Sequence, residues 1–278
     1  MSSAREFREM LKDLKIRANT DLGQNFLLDE GILRGMVDLA SVGKEDLVIE
    51  VGAGPGLLTY LLAQRAGRVV AIEIDPRFRP IWERTILKLP NVEVLLEDAC
   101  GVDMRAIELR AASMGYRLKV VSNLPYHIST PIAWKMLEEL EGCELMLLTV
   151  QEEFARRLGA RAGSRERCPL GVAMELLGEL KLLRKIPPGA FTPSPSVSSR
   201  LVLFKPSPSR TFDLRALKGL LRVGFSARRK KLLNALSSSF PEELAEEALG
   251  LCGIPEGSRA EDLTGRDWLC LLERLGHG

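Results

Sequence analysis

The chain has 278 residues, 46% of them hydrophobic and 27% charged, and its formal net charge is only +2. Such a composition predicts a globular protein with a substantial core and excludes nucleic-acid binding through overall charge alone. No apolar run reaches membrane-spanning length and the charged N-terminus is unlike a signal peptide, so we expect no membrane association. Two histidines, and five cysteines without a Cys-x-x-Cys pair, disfavour a metal site and a disulfide framework and favour a reducing, cytoplasmic location.

Short apolar segments that alternate with helical periodicity predict an α/β domain with a mainly parallel sheet. The predicted strands are 47–51, 68–72, 92–95, 118–122 and 144–150. Two later strands, near 180–186 and 200–204, are expected to form an antiparallel edge. The predicted helices are 32–40, 57–64, 131–140 and 152–160.

A proline-containing segment, 205–209, divides the chain in two. Proline has no amide proton to donate to a neighbouring strand, so this segment cannot continue a central strand. Beyond it, apolar residues recur only at helical spacing. We therefore predict an α/β domain over 1–205 and a helical domain over 206–278.

A glycine-rich turn follows the first predicted strand. Gly52, Gly54 and Gly56 lie between an apolar strand and a helical segment, an arrangement typical of nucleotide binding. The dinucleotide fingerprint would require glycine at Leu57, so nicotinamide binding is disfavoured. Glu50, at the strand end, is placed either to order the turn or to meet a positively charged group such as the sulfonium of S-adenosylmethionine.

Acidic residues end the next two strands. Glu73 is placed to accept hydrogen bonds from both hydroxyls of a ribose, and Asp98 to accept one from an adenine amine. Because these residues and the glycine turn lie at successive strand ends, we predict S-adenosylmethionine as the cofactor.

The tetrapeptide Asn123-Leu124-Pro125-Tyr126 ends a further strand and suits an aromatic amine. Such an amine is a poor nucleophile because its lone pair is delocalised into the ring. The side-chain oxygen of Asn123 and the backbone carbonyl of Leu124 or Pro125 can accept its protons, while Tyr126 stacks on the base. The positive sulfur already activates the leaving group, so positioning and electrostatics matter more than a strong base.

Seven motifs, taken together and in this order, carry a family resemblance. They are 23–27, 50–59, 71–75, 97–99, 123–131, 191–199 and 228–236. In them the chain resembles the KsgA-type ribosomal RNA adenine dimethyltransferases over nearly its whole length. The resemblance implies a Rossmann-like S-adenosylmethionine-dependent methyltransferase domain followed by a small all-helical C-terminal domain.

The resemblance also implies a reaction and a partner. Two methyl groups would be transferred to the exocyclic amine of each of two adjacent adenosines near the 3' end of small-subunit rRNA, within an immature ribosomal subunit. Tyr126 and Phe191 would sandwich the target adenine. The residues that would contact the cofactor are Asn25, Leu27, Gly52, Gly54, Glu73, Asp98 and Asn123.

A basic cluster at the start of the helical domain is the predicted RNA contact. It consists of Arg222, Arg228, Arg229, Lys230 and Lys231. Concentrated positive charge of this kind neutralises backbone phosphates.

Other functions share parts of this pattern. A large-subunit rRNA methyltransferase of the antibiotic-resistance type has most of these motifs, although 228–236 favours the KsgA type. A DNA adenine methyltransferase is disfavoured because no separate DNA-reading domain is evident. A non-catalytic assembly or transcription factor is disfavoured by intact Glu73, Asp98, Asn123 and Tyr126. No dimerisation stripe is evident, so we expect a monomer.

Overall fold

A computed structural model describes residues 3–19, 22–207, 210–227 and 230–276. The strands are β1 Phe26–Leu27, β2 Asp46–Val51, β3 Arg68–Glu73, β4 Val92–Leu96, β5 Arg117–Asn123, β6 Cys143–Gln151, β7 Gly178–Ile186, β8 Phe191–Thr192 and β9 Ser199–Pro206. The helices are α1 Ala4–Asp13, α2 Glu30–Leu39, α3 Leu57–Ala63, α4 Arg79–Trp82, α5 Met104–Ser113, α6 Ser129–Glu139, α7 Glu152–Leu158, α8 Pro169–Leu177, α9 Leu214–Gly224, α10 Leu232–Leu236, α11 Glu242–Leu251 and α12 Gly265–Leu275.

Seven of the described strands form one sheet in the order β4-β3-β2-β5-β6-β9-β7. Strand β2 pairs in parallel with both β3 and β5, whereas β9 pairs antiparallel with β6. From β2 the strands are added in one direction, first β3 and then β4. The next strand, β5, lies on the opposite side of β2, so the strand order reverses between β2 and β5. Ligands of open α/β sheets bind beside such a reversal, at the carboxyl ends of the strands.

Burial on both faces explains the apolar sequence of the central strands. Every residue of β2 is buried, and β3 is buried from its second residue onward. Two residues of β2 are buried but not apolar, namely Asp46 and Glu50, which lie at or near its two ends. Asp46 pairs with buried Lys119 of β5 at 3.0 Å, so its charge is compensated.

All seven predicted sheet strands are confirmed, with ends that differ by a few residues at most. The expected antiparallel edge is present, but β9 pairs with β6, and β7 lies outermost beside β9. Helices α1, α4, α5 and α8 were not predicted. For α1 a signal was available, because Ser3 and Glu6 form a capping box immediately before and within its first turn.

Contacts divide the chain into two compact units. One comprises Met1–Glu152 and Lys181–Pro206, and the other Glu153–Leu180 and Ser207–Gly278. This division differs from two continuous domains over 1–205 and 206–278, because residues 153–180 cluster with the C-terminal helices. Within that second unit, the Gly163 amide donates to the Glu261 carbonyl at 2.8 Å, and the Gly265 amide donates to Glu175 at 2.9 Å.

A disulfide joins Cys252 and Cys270, although the cysteine pattern disfavoured a disulfide framework. The two cysteines are 18 residues apart in sequence and are brought together by α11 and α12, a proximity that no short motif records. The cysteine count therefore does not support a reducing compartment. Separately, none of the described helices is long and apolar enough to cross a membrane.

Candidate active site

A cavity of about 290 Å³ lies at the carboxyl ends of β2, β3 and β5. This is the edge at which the strand order reverses, and its size is near the lower end for small-molecule sites. The residues that line the cavity are Leu22, Gly23, Gln24, Asn25, Phe26, Val51, Gly52, Gly54, Ile72, Glu73, Ile74, Glu97, Asp98, Ala99, Asn123, Leu124, Pro125, Tyr126, His127 and Ile128.

The glycine turn forms one wall of the cavity, and position 52 requires glycine for two reasons. Gly52 has φ of +77°, and a Cβ placed there would lie 2.8 Å from the Pro125 side chain. Gly54 is held from both sides, since its amide donates to Glu73 Oε2 at 2.7 Å and its carbonyl accepts from Trp82 Nε1 at 2.9 Å. The turn is therefore a rigid surface on which backbone approaches a ligand closely.

Glu73 lies at the end of β3, as predicted, and faces the cavity while remaining 7% exposed. Burial raises the pKa of its carboxyl group above the usual value, although hydrogen bonds from the amides of Gly54, Asp75 and Ile74 oppose this shift. These three amides fix the orientation of the side chain. Its oxygens retain further lone pairs for ribose hydroxyls.

Glu50 has a different role from Glu73. It is buried beneath the turn, accepts a hydrogen bond from the Thr59 hydroxyl at 2.6 Å, and does not line the main cavity. Burial raises the pKa of Glu50 to about 8, so its carboxyl group is mostly uncharged at neutral pH. Of the two predicted roles, this arrangement supports ordering of the turn.

The other residues predicted to contact the cofactor line two different cavities. Asp98 and Asn25 line the main cavity, where exposed Asp98 also accepts a hydrogen bond from the Cys100 amide at 2.9 Å. Leu27 is buried in β1 and lines a second, smaller cavity of about 40 Å³. Gly52 and Asn123 border both cavities, so the two spaces are adjacent.

Asn123 occupies the end of β5 and presents an unused acceptor. Its side-chain Nδ2 donates to the Asn25 carbonyl at 3.2 Å. Its Oδ1 is buried and has no hydrogen-bond partner among the described residues. A buried acceptor without a partner costs about 1–3 kcal/mol, so it marks a place where a ligand donor is expected.

Of the two backbone carbonyls predicted to accept a proton of the amine, that of Pro125 is already hydrogen-bonded. The Pro125 carbonyl accepts from the Ile128 amide at 3.3 Å and from the Ser129 hydroxyl at 3.1 Å. This leaves the Leu124 carbonyl as the better second acceptor for an amine. Leu124 is itself anchored, because its amide donates to the Thr149 carbonyl at 3.1 Å.

The two aromatic residues predicted to clamp the base lie in different environments. Tyr126 lines the cavity, its hydroxyl is 2.6 Å from the Ser199 hydroxyl, and burial raises its pKa. Phe191 is 3% exposed, pairs with Leu27 across β1 and β8, and belongs to the hydrophobic core. The structure does not bring Phe191 to the cavity lining, and its role as a clamp stays a prediction.

Of the predicted RNA contacts, Arg222, Lys230 and Lys231 are exposed. Arg228 and Arg229 lie outside the described residues. Among the described residues, no group of three or more His, Cys, Asp or Glu side chains is arranged to hold a metal ion.

Sequence reasoning missed three residues that shape the site. Trp82 holds the Gly54 carbonyl, and the Ser122 hydroxyl accepts from the Val51 amide at 2.8 Å. Asp75 accepts from the Gln24 side chain at 2.9 Å. Asp75 carries a weak sequence signal, since it lies two residues after Glu73, whereas Trp82 and Ser122 have none because each acts through a contact distant in sequence.

Solved structures share this architecture. A dimethyladenosine transferase from Plasmodium falciparum is 25% identical, with a TM-score of 0.74, and the match covers 89% of this chain and 96% of that one. The 23S rRNA methyltransferase ErmE is 27% identical, with a TM-score of 0.65, over 91% of this chain and 100% of that one. The fold and the site thus define a Rossmann-like methyltransferase with a helical C-terminal part.

The family model described as ribosomal RNA adenine dimethylase matches residues 15–276, and the chain belongs to that family. It is 36% identical to the ribosomal RNA small subunit methyltransferase A of Alkaliphilus oremlandii, over 99% of this chain and 98% of that protein. The protein of the same name from Ligilactobacillus salivarius is also 36% identical, over 96% and 93% of the two chains.

Proposed function

We propose that the protein dimethylates the exocyclic amines of two adjacent adenosines near the 3' end of small-subunit rRNA, using S-adenosylmethionine. The observation that carries this proposal is the buried Asn123 Oδ1, which has no partner among the described residues and lies beside Tyr126 on the cavity wall. Family membership and the names of the curated relatives support rRNA as the substrate.

The geometry suits an amine nucleophile. Asn123 Oδ1 and the Leu124 carbonyl accept the two amine protons, so the lone pair turns toward the methyl donor. Bound S-adenosylmethionine would supply the methyl group and leave as a thioether with the electrons of its carbon–sulfur bond, while the amine nitrogen would gain the methyl group and release one proton to solvent. After the first transfer a single N–H remains, and one acceptor is enough to direct the second.

The cofactor supplies a methyl group already activated by positive sulfur, so this chain has only to bind and orient it. The Glu73 carboxylate suits the ribose hydroxyls and Asp98 suits the adenine amine, both from the cavity wall. Gly52 and Gly54 allow close backbone approach, while Asn25 and Leu27 contact it from the N-terminal side.

We further propose that Arg222, Lys230 and Lys231, together with Arg228 and Arg229, contact rRNA phosphates. A clamp by Phe191 would require the β1–β8 pair to open, since Phe191 is buried against the core. We expect the enzyme to act as a monomer, in the cytoplasm, on an immature subunit.

Transfer of labelled methyl groups from S-adenosylmethionine tests the proposal. Immature small ribosomal subunits, large subunits and free DNA would be assayed in parallel, followed by mapping of modified adenosines. Paired dimethyladenosines near the small-subunit 3' end are the expected result. Label confined to large subunits would reassign the substrate to that of ErmE-like enzymes, and cofactor binding without transfer to any substrate would indicate a non-catalytic assembly factor.

A further inference from the structure

A short segment near the N-terminus, residues 22–26, lines the main cavity through each of its members. We call it the strap. It precedes the sheet in sequence, so only tertiary contacts hold it against the strand ends. Phe26 is held by the pairing of β1 with β8, and side chains from two separate strand ends contact the two residues before it.

The first contact is at Gln24. Its Nε2 donates to Asp75 Oδ2 at 2.9 Å, just beyond the end of β3, and its Oε1 accepts from the Asn19 amide at 2.8 Å. Asp75 is 3% exposed and is in turn held by Arg77, whose Nη2 donates to the same carboxylate at 2.6 Å. Arg77 Nη1 also donates a hydrogen bond to the Arg17 carbonyl at 3.3 Å.

The charge state of Asp75 favours this arrangement. Burial alone would raise the pKa of its carboxyl group, but hydrogen bonds from Arg77 and Gln24 outweigh burial and hold the pKa below its usual value. The acceptor for Gln24 is therefore ionised at neutral pH, and hydrogen bonds to ionised groups are the stronger ones.

The second contact is at Asn25, and it reaches the catalytic amide. The Asn25 carbonyl accepts from Asn123 Nδ2 at 3.2 Å. Because the amide group is planar, holding its nitrogen on the strap fixes the direction of Oδ1. That oxygen is the buried acceptor which has no partner in the described part of the chain.

We infer that the Gln24–Asp75 hydrogen bond is a latch that holds the strap closed over bound cofactor and, through the Asn25 carbonyl, orients Asn123. Gln24 and Asp75 are positioning residues, since they act through the strap. The inference rests on the proposed function in that it takes S-adenosylmethionine as the ligand of the cavity. It predicts that breaking the latch accelerates cofactor release and lowers the transfer rate even when cofactor saturates the site.

Dissociation of labelled S-adenosylmethionine from the full chain, chased with unlabelled cofactor, tests the latch without any RNA. Gln24→Ala should release cofactor at least about tenfold faster, because it removes both the hydrogen bond to Asp75 and the one that Gln24 accepts from the Asn19 amide. Asp75→Asn keeps a side-chain oxygen that can accept from Gln24 and from the Arg77 amide, so its release rate should be intermediate. The double variant should match Gln24→Ala alone, because without the Gln24 side chain the group at position 75 makes no described hydrogen bond to the strap.

A second readout separates a latch from a general loss of stability. Amide hydrogen exchange of residues 22–26 in the cofactor-free protein should rise in Gln24→Ala while exchange of β2 and β5 stays unchanged. Arg79→Ala is the matched control, since this residue lies on α4 close to Asp75 in sequence and its side chain forms, within the described part of the chain, an exposed ion pair with Glu83. Its release rate and strap exchange should equal those of the wild type.

The outcomes separate the two proposals. If the wild-type chain binds S-adenosylmethionine and Gln24→Ala releases it at the same rate, the latch is overturned and the proposed function is not. A wild-type chain that binds no S-adenosylmethionine would overturn both the latch and the proposed function. Faster release in Gln24→Ala, with methyl transfer found on large subunits instead of small ones, would support the latch and overturn the proposed substrate.

Discussion

Asn123 donates its side-chain amide to the backbone carbonyl of Asn25 at 3.2 Å, and so joins two segments 98 residues apart in sequence. The same amide group presents its oxygen, buried and unpaired among the described residues, beside the cavity. One end of the side chain is thus structural and the other is available for chemistry. Pre-organisation of this kind is effective because the acceptor need not reorient during the reaction.

Asn123→Ala should reduce methyl transfer by at least about 100-fold, because the amine loses its main acceptor and its orientation. Most of the fold should persist, since the side chain makes one described hydrogen bond, to Asn25. Methyl transfer and thermal unfolding would be measured on the same preparation. Gln64→Ala, at an exposed position after α3, is the control; unchanged methylation in Asn123→Ala would exclude the proposed role.

Glu50 should make stability depend on pH. Burial raises its pKa from 4.5 to about 8 in the folded protein, so the folded state keeps a proton that the unfolded chain releases between these pH values. The free energy of unfolding should therefore fall, by a few kcal/mol in order of magnitude, as pH rises from about 4.5 through about 8. Glu73 acts in the same direction because burial raises its pKa too.

Glu50→Gln mimics the protonated side chain and should remove most of this loss of stability. Urea unfolding at pH 6 and pH 9 would be compared with the wild type and with Glu83→Gln, a control at an exposed glutamate. The assignment fails if Glu50→Gln loses as much stability between the two pH values as the wild type does.

Gly52→Ala should weaken cofactor binding and destabilise the fold by about 1–3 kcal/mol. The backbone there has φ of +77°, and the added methyl group would lie 2.8 Å from the Pro125 side chain.

Gly219→Ala is a matched control in α9, where a Cβ meets nothing within 4 Å. That change should raise stability by about 0.5–1 kcal/mol. Calorimetric titration with S-adenosylmethionine and thermal unfolding would measure both effects, and equal cofactor affinity in the two variants would refute the prediction.

Lys230→Ala combined with Lys231→Ala should weaken binding to small-subunit rRNA without changing cofactor affinity. Each lost phosphate contact should lower the slope of log binding constant against log salt concentration by about one. Binding would be measured over a salt series, with Lys88→Ala as an exposed control outside the basic cluster. An unchanged salt slope in the double variant would remove these lysines from the RNA contact.

Much of the site was predictable because parallel strands align their carboxyl ends. Glu73, Asp98 and Asn123 each follow an apolar run, and this regular placement brings all three to the same cavity. Glu50 also ends such a run, yet it turns beneath the glycine loop and is mostly uncharged at neutral pH. Position at a strand end does not determine which way a side chain faces.

Other features depended on contacts between distant segments. Phe191 belongs to a recognisable motif, but its pairing with Leu27 buries it. The disulfide between Cys252 and Cys270 follows from the packing of two helices. Residues 153–180 join the C-terminal helices through hydrogen bonds to positions 261 and 265, which no composition change marks.

The sequence by itself determined the parallel α/β class, the glycine turn, the acidic strand ends and the Asn-Leu-Pro-Tyr site, because each depends on periodicity or on residue types within one short segment. Only the tertiary structure decided which acid is neutral, that the Pro125 carbonyl is already hydrogen-bonded, where Phe191 lies, and that Gln24 and Asn25 are held by Asp75 and Asn123. These depend on burial and on hydrogen bonds between segments tens of residues apart, and neither property is local to the chain.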